Sequence, residues 1–242
     1  MIEISGLSKK FGSFTAVDNI SLSIGEGEIF SFLGVNGAGK TTTLRMLAGI
    51  LKPTSGEITI GGFSMRSQPL EAKRITGYIP DRPHIYPGLT GREYLYFVAE
   101  LYDLFAESCD QRISWLLREY SLIDRQDELI GSYSHGMRQR LATCAALVAS
   151  PKVLIVDEPM VGLDPHGAKT LKECFKRYAA EGMTIFLSMH SLNVAEELSD
   201  RLAIIDQGKI VSVGTIEQLH AQAGGNVGGL EDVFLKITLE AD

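Results

Sequence analysis

The strongest chemical signal in the sequence is a glycine-rich segment that follows a short apolar run. Residues 34–41, Gly-Val-Asn-Gly-Ala-Gly-Lys-Thr, match the spacing GxxxxGK[ST]. The motif requires a strand before it and a helix after it; here an apolar run at 28–33 precedes it and a helical pattern follows from Lys40 to about Leu51. Backbone N–H groups in such a turn, together with the positive end of the helix, favour phosphate oxygens. The segment therefore predicts a polyphosphate-binding site.

The side chains of this segment have predicted roles at the phosphates. Lys40 supplies a mobile positive charge for the β and γ phosphates, and Thr41 offers a hydroxyl to Mg²⁺. Thr42 is positioned to reach another phosphate. The predicted phosphate-binding set is Asn36, Gly37, Ala38, Gly39, Lys40, Thr41 and Thr42. A chance match in a glycine-rich turn is the alternative, and the strand and helix around the motif count against it.

Two adjacent carboxylates follow the apolar run at 153–156. Because open α/β sheets bind ligands at the carboxyl ends of their strands, Asp157 and Glu158 are predicted to face the same ligand. Asp157 would hold Mg²⁺ directly or through water, and Glu158 would act as a general base on the attacking water. Taken alone, an acidic strand end is more often the start of a turn. The phosphate-binding segment in the same chain favours the functional interpretation.

The order of elements around these motifs predicts an α/β fold. Predicted strands lie at 2–4, 20–24, 28–33, 57–60 and 77–80. The stretch 90–149 has the 3 and 4 residue spacing of helices. After it, strands at 153–156, 184–188 and 202–206 alternate with helices at 166–181 and 192–200. This alternation predicts a parallel sheet covered by helices.

Composition and charge exclude several classes of protein. With 242 residues, 45% hydrophobic and 22% charged, the chain has the balance of an ordinary globular protein. A net charge of −7 argues against a nucleic-acid-binding face. No apolar stretch reaches the roughly 20 residues of a membrane span, and the N-terminus lacks a secretory pattern. The three cysteines lack disulfide or zinc spacing, so we expect buried thiols in a reducing cytoplasm.

A third motif lies between the other two and makes the pattern specific. Residues 133–141, Tyr-Ser-His-Gly-Met-Arg-Gln-Arg-Leu, form a polar loop that opens a helix about 20 residues before the paired carboxylates. With these motifs in this order, the whole chain resembles the ATP-binding subunit of an ABC transporter. The resemblance implies ATP and Mg²⁺ as ligands and a single domain over 1–242. It implies a P-loop NTPase core at 1–84 and 151–242, with a mostly parallel sheet and an N-terminal antiparallel β region. An inserted helical subdomain at 85–150 would carry the signature loop.

The resemblance also implies roles for residues outside the phosphate-binding segment. Phe11 resembles the aromatic that stacks on adenine, with Val17 on the same face, and core packing is the alternative for Phe11. Ser134 and Gly136 resemble the signature-loop residues that contact the γ phosphate held by an opposite subunit. Such a contact has a physical basis, because a helix N-terminus favours phosphate.

Two more residues carry implied roles near the dimer interface. Asp164 resembles the residue of a loop that crosses this interface, and its alternative is to cap the helix after Pro165. His190 follows a predicted buried strand and resembles the switch histidine that senses the γ phosphate. The implied catalytic set is Lys40, Glu158 and His190.

Departures from the family pattern fall at contacts with the nucleotide or the metal. Asp81 stands where the family usually has Gln. Its anionic oxygen can still ligate Mg²⁺, so it stays a predicted metal ligand with Thr41 and Asp157, yet its charge near phosphates could slow closure. His135 and Met137 stand where Gly and Gln are common. We expect activity to survive, with some pH sensitivity from His135.

The resemblance implies two kinds of partner. A second ATPase subunit, identical or different, would close head to tail over ATP, and a separate membrane permease would turn closure into transport. The aromatics at 84–97 are expected to receive a short helix of the permease, although about half of such residues are ordinary core. The tail at 229–235 is similar to exporter-type subunits serving drugs, lipids, polysaccharides or sodium. The expected location is the cytoplasmic face of the cell membrane.

Two alternatives stay open at this point. One is a soluble ABC-type ATPase acting on ribosomes or DNA; the acidic balance and the lack of a second ATPase domain or a coiled-coil insertion count against it. The other is a regulatory module that closes on ATP without useful hydrolysis. Lys40, Asp157, Glu158 and His190 argue against that module, whereas Asp81 favours it.

Overall fold

Two β-sheets and the helices around them make up the chain over the ranges that the computed structural model describes, residues 1–104, 106–160, 165–224 and 229–239. The strands are β1 (Ile2–Phe11), β2 (Phe14–Ile24), β3 (Ile29–Leu33), β4 (Ser55–Ile60), β5 (Phe63–Ser64), β6 (Thr76–Ile79), β7 (Val153–Asp157), β8 (Thr184–Met189), β9 (Arg201–Asp206) and β10 (Lys209–Gly214). The α-helices are α1 (Lys40–Leu47), α2 (Pro69–Arg74), α3 (Gly91–Leu101), α4 (Ala106–Glu119), α5 (His135–Leu147), α6 (Pro165–Ala180), α7 (Leu192–Leu198), α8 (Ile216–Gln222) and α9 (Leu230–Leu239).

The larger sheet has six strands in the order β10-β9-β3-β8-β7-β6. The five strands from β9 to β6 run parallel to one another, and β10 pairs antiparallel with β9. Every residue of β3, β7 and β8 is buried, which is why these strands are apolar almost throughout. The predicted, mostly parallel sheet is therefore confirmed, and the carboxyl ends of β3, β7 and β8 meet at one edge.

The smaller sheet is antiparallel, in the order β2-β1-β4-β5. Its first hairpin is much longer than the predicted strands at 2–4 and 20–24, because β1 and β2 stay paired as far as Phe11 and Phe14. Register shifts interrupt the pairing between Ile4 and Leu7 and again on both sides of Lys9. Each shift breaks the alternation of apolar and polar residues, so the sequence pattern hides the continuous strand.

The middle of the chain is helical, as predicted for 90–149. Thr90 caps α3 with a capping box completed by Glu93, and Ser134 caps α5. Helices α3, α4 and α5 pack around a shared core that includes Leu95, Leu116 and Leu141. The division of the chain after residues 84 and 150 stays a prediction.

The ends of two regions differ from the sequence pattern. Helix α1 ends at Leu47 instead of about Leu51, because Gly49 adopts the left-handed conformation (φ 65°) and turns the chain. After β9, the chain continues through β10, α8 and α9, which were not predicted from the sequence. All three cysteines are buried thiols, as expected.

Candidate functional site

The phosphate-binding segment forms a tight turn between β3 and α1. Gly37 and Gly39 have positive φ angles of 87° and 108°, which favour glycine. A Cβ at Gly34 would lie 2.4 Å from the carbonyl oxygen of Ile205, and one at Gly39 would lie 2.6 Å from that of Ala16. The glycines of the motif are therefore needed for backbone conformation and for close approach to β9 and β2.

Neighbouring strands hold this turn from behind. Gly208 N donates to the carbonyl oxygen of Ala38 at 3.0 Å, and Asp18 N donates to that of Gly208 at 2.8 Å. Val17, predicted to line the base site, is completely buried, and its Cγ2 lies 3.4 Å from where a Gly39 Cβ would stand. Val17 thus packs under the turn. Asn36 is exposed, Ala38 is buried, and Thr42 is half-buried in the first turn of α1.

Lys40 lies inside the turn with its ammonium buried. Its Nζ donates to the carbonyl oxygens of Gly34 at 2.6 Å and Val35 at 3.1 Å, and it lies 3.5 Å from Glu158 Oε1. The loop carbonyls and the carboxylate together compensate the buried charge. This arrangement brings the predicted phosphate-binding cation and the predicted general base together.

A hydroxyl and a carboxylate meet at the end of β7. Thr41 Oγ1 donates to Asp157 Oδ1 at 3.1 Å, and Asp157 is almost completely buried. Both groups offer the hard oxygen donors that Mg²⁺ prefers, and Mg²⁺ sites on phosphate substrates need only one or two protein carboxylates. The donor set therefore fits the predicted metal. Two effects raise the pKa of the Tyr78 hydroxyl on the adjacent strand: burial is the larger, and the nearby Asp157 carboxylate is the second.

Ser188 joins the two predicted carboxylate positions. Its Oγ donates to Asp157 Oδ1 at 2.6 Å and accepts from the backbone N–H of Glu158 at 2.9 Å. Ser188 was not predicted as a site residue from the sequence. The available signal was a serine in the apolar stretch 185–189 of β8, two positions before His190.

Glu158 has an unusual backbone. Its φ angle is 50°, in the left-handed region that a non-glycine residue rarely adopts. Its Oε2 lies at hydrogen-bond distance from His190 Nδ1, and its Oε1 faces Lys40. The backbone turn and these two contacts aim the carboxylate across the sheet edge, where β7 and β8 end. The structure therefore brings Lys40, Glu158 and His190 into one cluster.

An open cleft of about 620 Å³ extends from this cluster towards the helical subdomain. Its lining comprises Asn36, Asp81, Arg82, Pro83, His135, Arg138, Glu158 and His190. Arg82 Nε lies 3.9 Å from Asp81 Oδ2, and both side chains are exposed. Basic residues at the start of α5 thus face the cleft that holds the predicted general base.

The signature loop shapes the start of α5. Ser134 Oγ accepts from the N–H of Met137 at 3.3 Å, so it serves as the N-cap. Nothing lies within 4 Å of a Cβ built on Gly136, so the backbone of that turn is open to the surroundings.

Known proteins resemble this chain over nearly its whole length. The sequence profile described as ABC transporter matches residues 17–161. The linearmycin resistance ATP-binding protein LnrL of Bacillus subtilis (strain 168) is 36% identical over 241 residues, which span 97% of this chain and 78% of the relative. The chain belongs to the ABC transporter family. As an ATP-binding subunit of this family, it hydrolyses ATP.

Solved structures share the fold. A structure described as the ATP binding subunit of an ABC transporter is 31% identical, with a TM-score of 0.92 over 98% of this chain and 99% of that chain. A dimeric ATP-binding cassette in a post-hydrolysis state with ADP and Pi is 25% identical, with a TM-score of 0.78 over 89% of this chain and 98% of that chain. Among the described helices of this ABC subunit, none is long and apolar enough to cross a bilayer.

Phe11 and Asp164 were also predicted from the ABC resemblance. Phe11, at the tip of the first hairpin, is 49% exposed, so core packing does not explain it. Asp164 lies outside the described residues.

A second cavity, of about 280 Å³, lies between the helical subdomain and the core of the ABC subunit. Its lining includes His84, Ile85 and Tyr94 from the predicted permease-binding segment. The exposed ring of Tyr86 packs edge-on against Phe97 at 5.6 Å. Tyr96 instead bonds to Asp110 within the subdomain.

Proposed function

We propose that this ABC subunit drives an export transporter by closing on ATP as a head-to-tail pair. Each ATP would lie between the phosphate-binding segment of one copy and the Ser134 to Gly136 loop of the other. The observation that carries the proposal is the convergence of Lys40, Asp157, Glu158 and His190 at one edge of the large sheet. The same edge opens into the cleft that reaches α5.

The chemistry follows from the position of each group. Lys40 and the N–H groups of residues 37–41 bind the β and γ phosphates, with Asn36 and Thr42 at their margins. Thr41 and Asp157, with Asp81 at the rim, would hold Mg²⁺, which neutralises charge on the phosphate oxygens when bound.

Hydrolysis needs a water placed opposite the leaving oxygen. Glu158 takes a proton from this water while the water oxygen attacks the γ phosphorus. The bond between the γ phosphorus and the oxygen that bridges the β and γ phosphates breaks, which leaves ADP and phosphate. His190 holds the Glu158 carboxylate in line and contacts the γ phosphate. Asp164 would contribute across the dimer interface.

The permease is proposed to bind at the cavity beside α3. The exposed ring of Tyr86 packs against Phe97 and against Tyr94, and Tyr94 lines this cavity. Exposed aromatic side chains of this kind are suited to anchoring a helix. The cavity borders the loop that carries Asp81 and Pro83. A permease segment bound there would therefore contact the same loop as the nucleotide and link closure to transport. The subunit would work at the cytoplasmic face of the membrane. LnrL is a linearmycin resistance protein, and its similarity supports an exporter role.

The test is Mg²⁺-dependent ATP turnover by the purified chain over a range of protein concentrations. Turnover per subunit should rise with concentration, because each site needs a second copy. Lys40→Ala should lose ATP binding, and Glu158→Gln should bind ATP while its turnover falls by about 100-fold or more. Exposed Lys169→Ala and Glu196→Gln are the matched controls and should keep wild-type turnover. Wild-type turnover in Glu158→Gln would remove that residue from the proposed role.

A second candidate is an ATP-closed switch with little hydrolysis, favoured by Asp81. This carboxylate lines the same cleft as Glu158 and adds a negative charge near the phosphates. A wild-type chain that pairs on ATP but turns it over far more slowly than the Asp81→Gln variant would support the switch. Comparable turnover in the two chains would exclude it.

A further inference from the structure

A lysine lies over the exposed ring of Phe11. Lys9 Nζ is 5.1 Å from the centroid of that ring, within the range of a cation–π contact. The Phe11 side chain is nevertheless 49% exposed. The ring is therefore supported by a cation and still offers surface to a ligand.

The lysine is itself fixed to the backbone beyond α1. Its Nζ donates to the carbonyl oxygen of Lys52 at 2.7 Å. Two further bonds tie the same loop to β1: Thr54 N donates to the carbonyl oxygen of Ser8 at 2.8 Å, and Lys10 N donates to Thr54 Oγ1 at 2.9 Å. The ammonium thus has one hydrogen-bonded position, set by backbone.

This loop also connects the ring to the phosphate-binding segment. Helix α1 begins at Lys40 within that segment, and the chain reaches Lys52 after one further turn. The Lys9 contact therefore joins the tip of the first hairpin to the far end of the element that starts at the phosphates. The same hairpin approaches the phosphate-binding turn directly, since Ala16 and Val17 of β2 lie against Gly39. A ligand with its phosphates at that turn and a flat ring at its other end would extend towards the hairpin tip.

We propose that Lys9 is a positioning residue for the nucleotide base, which holds the Phe11 ring ready for stacking. The inference rests on the proposed nucleotide site. A ring already held by a cation loses less conformational freedom when a base stacks on it, so binding is tighter. Lys9 acts through Phe11 and does not touch the phosphates.

The experiment measures ADP affinity by calorimetry in a double-mutant cycle of Lys9→Met and Phe11→Ala. ADP avoids turnover, and methionine keeps the apolar stem while it removes the cation. Lys9→Met should weaken ADP binding by about threefold in the wild-type background. In the Phe11→Ala background, the same change should have no effect. Lys9→Arg should restore wild-type affinity, and the exposed neighbour Lys10→Met is the matched control.

The base-free ligand pyrophosphate separates positioning from a general structural role. Its affinity should be the same in Lys9→Met and in the wild type. An equal loss for ADP and pyrophosphate, a loss that persists without Phe11, or unchanged ADP affinity in Lys9→Met would each overturn the inference. Failure of the proposed site would appear differently, as ADP binding that Lys40→Ala does not weaken. Thermal unfolding of each variant shows whether it is folded.

Discussion

The buried sheet edge and the exposed rim of the cleft hold their polar residues in different ways. At the edge, Lys40 and Asp157 are buried, and each has fixed partners on neighbouring elements. At the rim, Asp81 and Arg82 are exposed and form one long ion pair with each other. Surface pairs of this kind contribute little to stability.

This difference suggests a division of work. Phosphate chemistry needs groups already oriented in a site of low dielectric, and the sheet edge provides them within one chain. The rim groups become useful only when another surface covers them. The same contrast holds for the glycines, since Gly34 is enclosed by β9 whereas Gly136 faces open space. Variants on either side should therefore fail for different reasons.

After the loss expected for Glu158→Gln, the largest effect is expected at Ser188, on the buried side. Ser188→Ala removes a donor to the buried Asp157 carboxylate and the acceptor of the Glu158 N–H. Because hydrogen bonds to charged groups contribute about 1.5–3 kcal/mol, we expect kcat to fall by about tenfold or more. The half-activating Mg²⁺ concentration should rise, and ATP affinity should change little.

Ser199→Ala is the matched control, because Ser199 Oγ donates to another serine, Ser31, and not to a carboxylate of the site. It should keep wild-type kcat. Equal kcat values for Ser188→Ala and Ser199→Ala would mean that Ser188 does not position the carboxylates.

The two glycines sharpen the comparison through stability. Gly34→Ala would place its Cβ 2.4 Å from the backbone oxygen of Ile205, so the free energy of unfolding should fall by about 1–3 kcal/mol. Gly136→Ala meets no such obstacle, and alanine in the first turn of α5 should leave stability unchanged or slightly higher. Urea titration measures both. Similar losses in the two variants would contradict the contrast.

The rim should respond to charge. Asp81→Gln removes one negative charge from the cleft, and we expect turnover to rise by about threefold at low salt. The gain should shrink as salt increases, since exposed charges are screened. Steady-state ATPase assays at two ionic strengths check both expectations. Lower turnover in Asp81→Gln would instead support Asp81 as a metal ligand that glutamine cannot replace.

The smallest effect concerns a buried hydrogen bond between two tyrosines. Tyr120, the residue after α4, and Tyr178, in α6, share a hydrogen bond between their hydroxyls at 3.0 Å. Burial, and next the neighbouring Tyr178, raises the pKa of Tyr120; burial also raises the pKa of Tyr178. The pKa values of both tyrosines in the folded protein exceed the unfolded value of about 10. Their contribution to the free energy of unfolding is therefore fully present below pH 10 and is lost as the pH rises further.

Tyr120→Phe removes one of these titrating groups. Its free energy of unfolding should therefore fall less steeply than that of the wild type between pH 9 and about pH 11. Urea titrations across this range give both slopes. A variant slope equal to the wild-type slope would show that Tyr120 is not protected from ionisation by the fold.

Much of this site could be predicted because its groups are neighbours in sequence or follow apolar strands. The spacing of the glycines in residues 34–41 specifies the conformation of that turn. Buried parallel strands place Asp157, Glu158 and His190 at a common edge of the sheet. The parallel sheet and the helical subdomain could be predicted from the spacing of apolar residues and from the order of strands and helices along the chain.

Other features depend on contacts between distant segments. Ser188 acts by bridging two strands, and serine in a strand has no distinctive pattern alone. The Lys9 contact requires a loop about 40 residues away, and the register shifts around Lys9 obscure the strand itself. Val17 was predicted to line the base site. Its complete burial against Gly39 could not be predicted, because it depends on how β2 crosses the phosphate-binding segment.

The left-handed backbone of Glu158 has a consequence for how this sequence can change. At φ 50°, a glutamate costs stability that a glycine would recover, so folding and activity favour different residues at this position. Variants selected for stability alone would drift towards glycine here and lose ATP hydrolysis. A glutamate retained at residue 158 would therefore mark a lineage that still depends on hydrolysis.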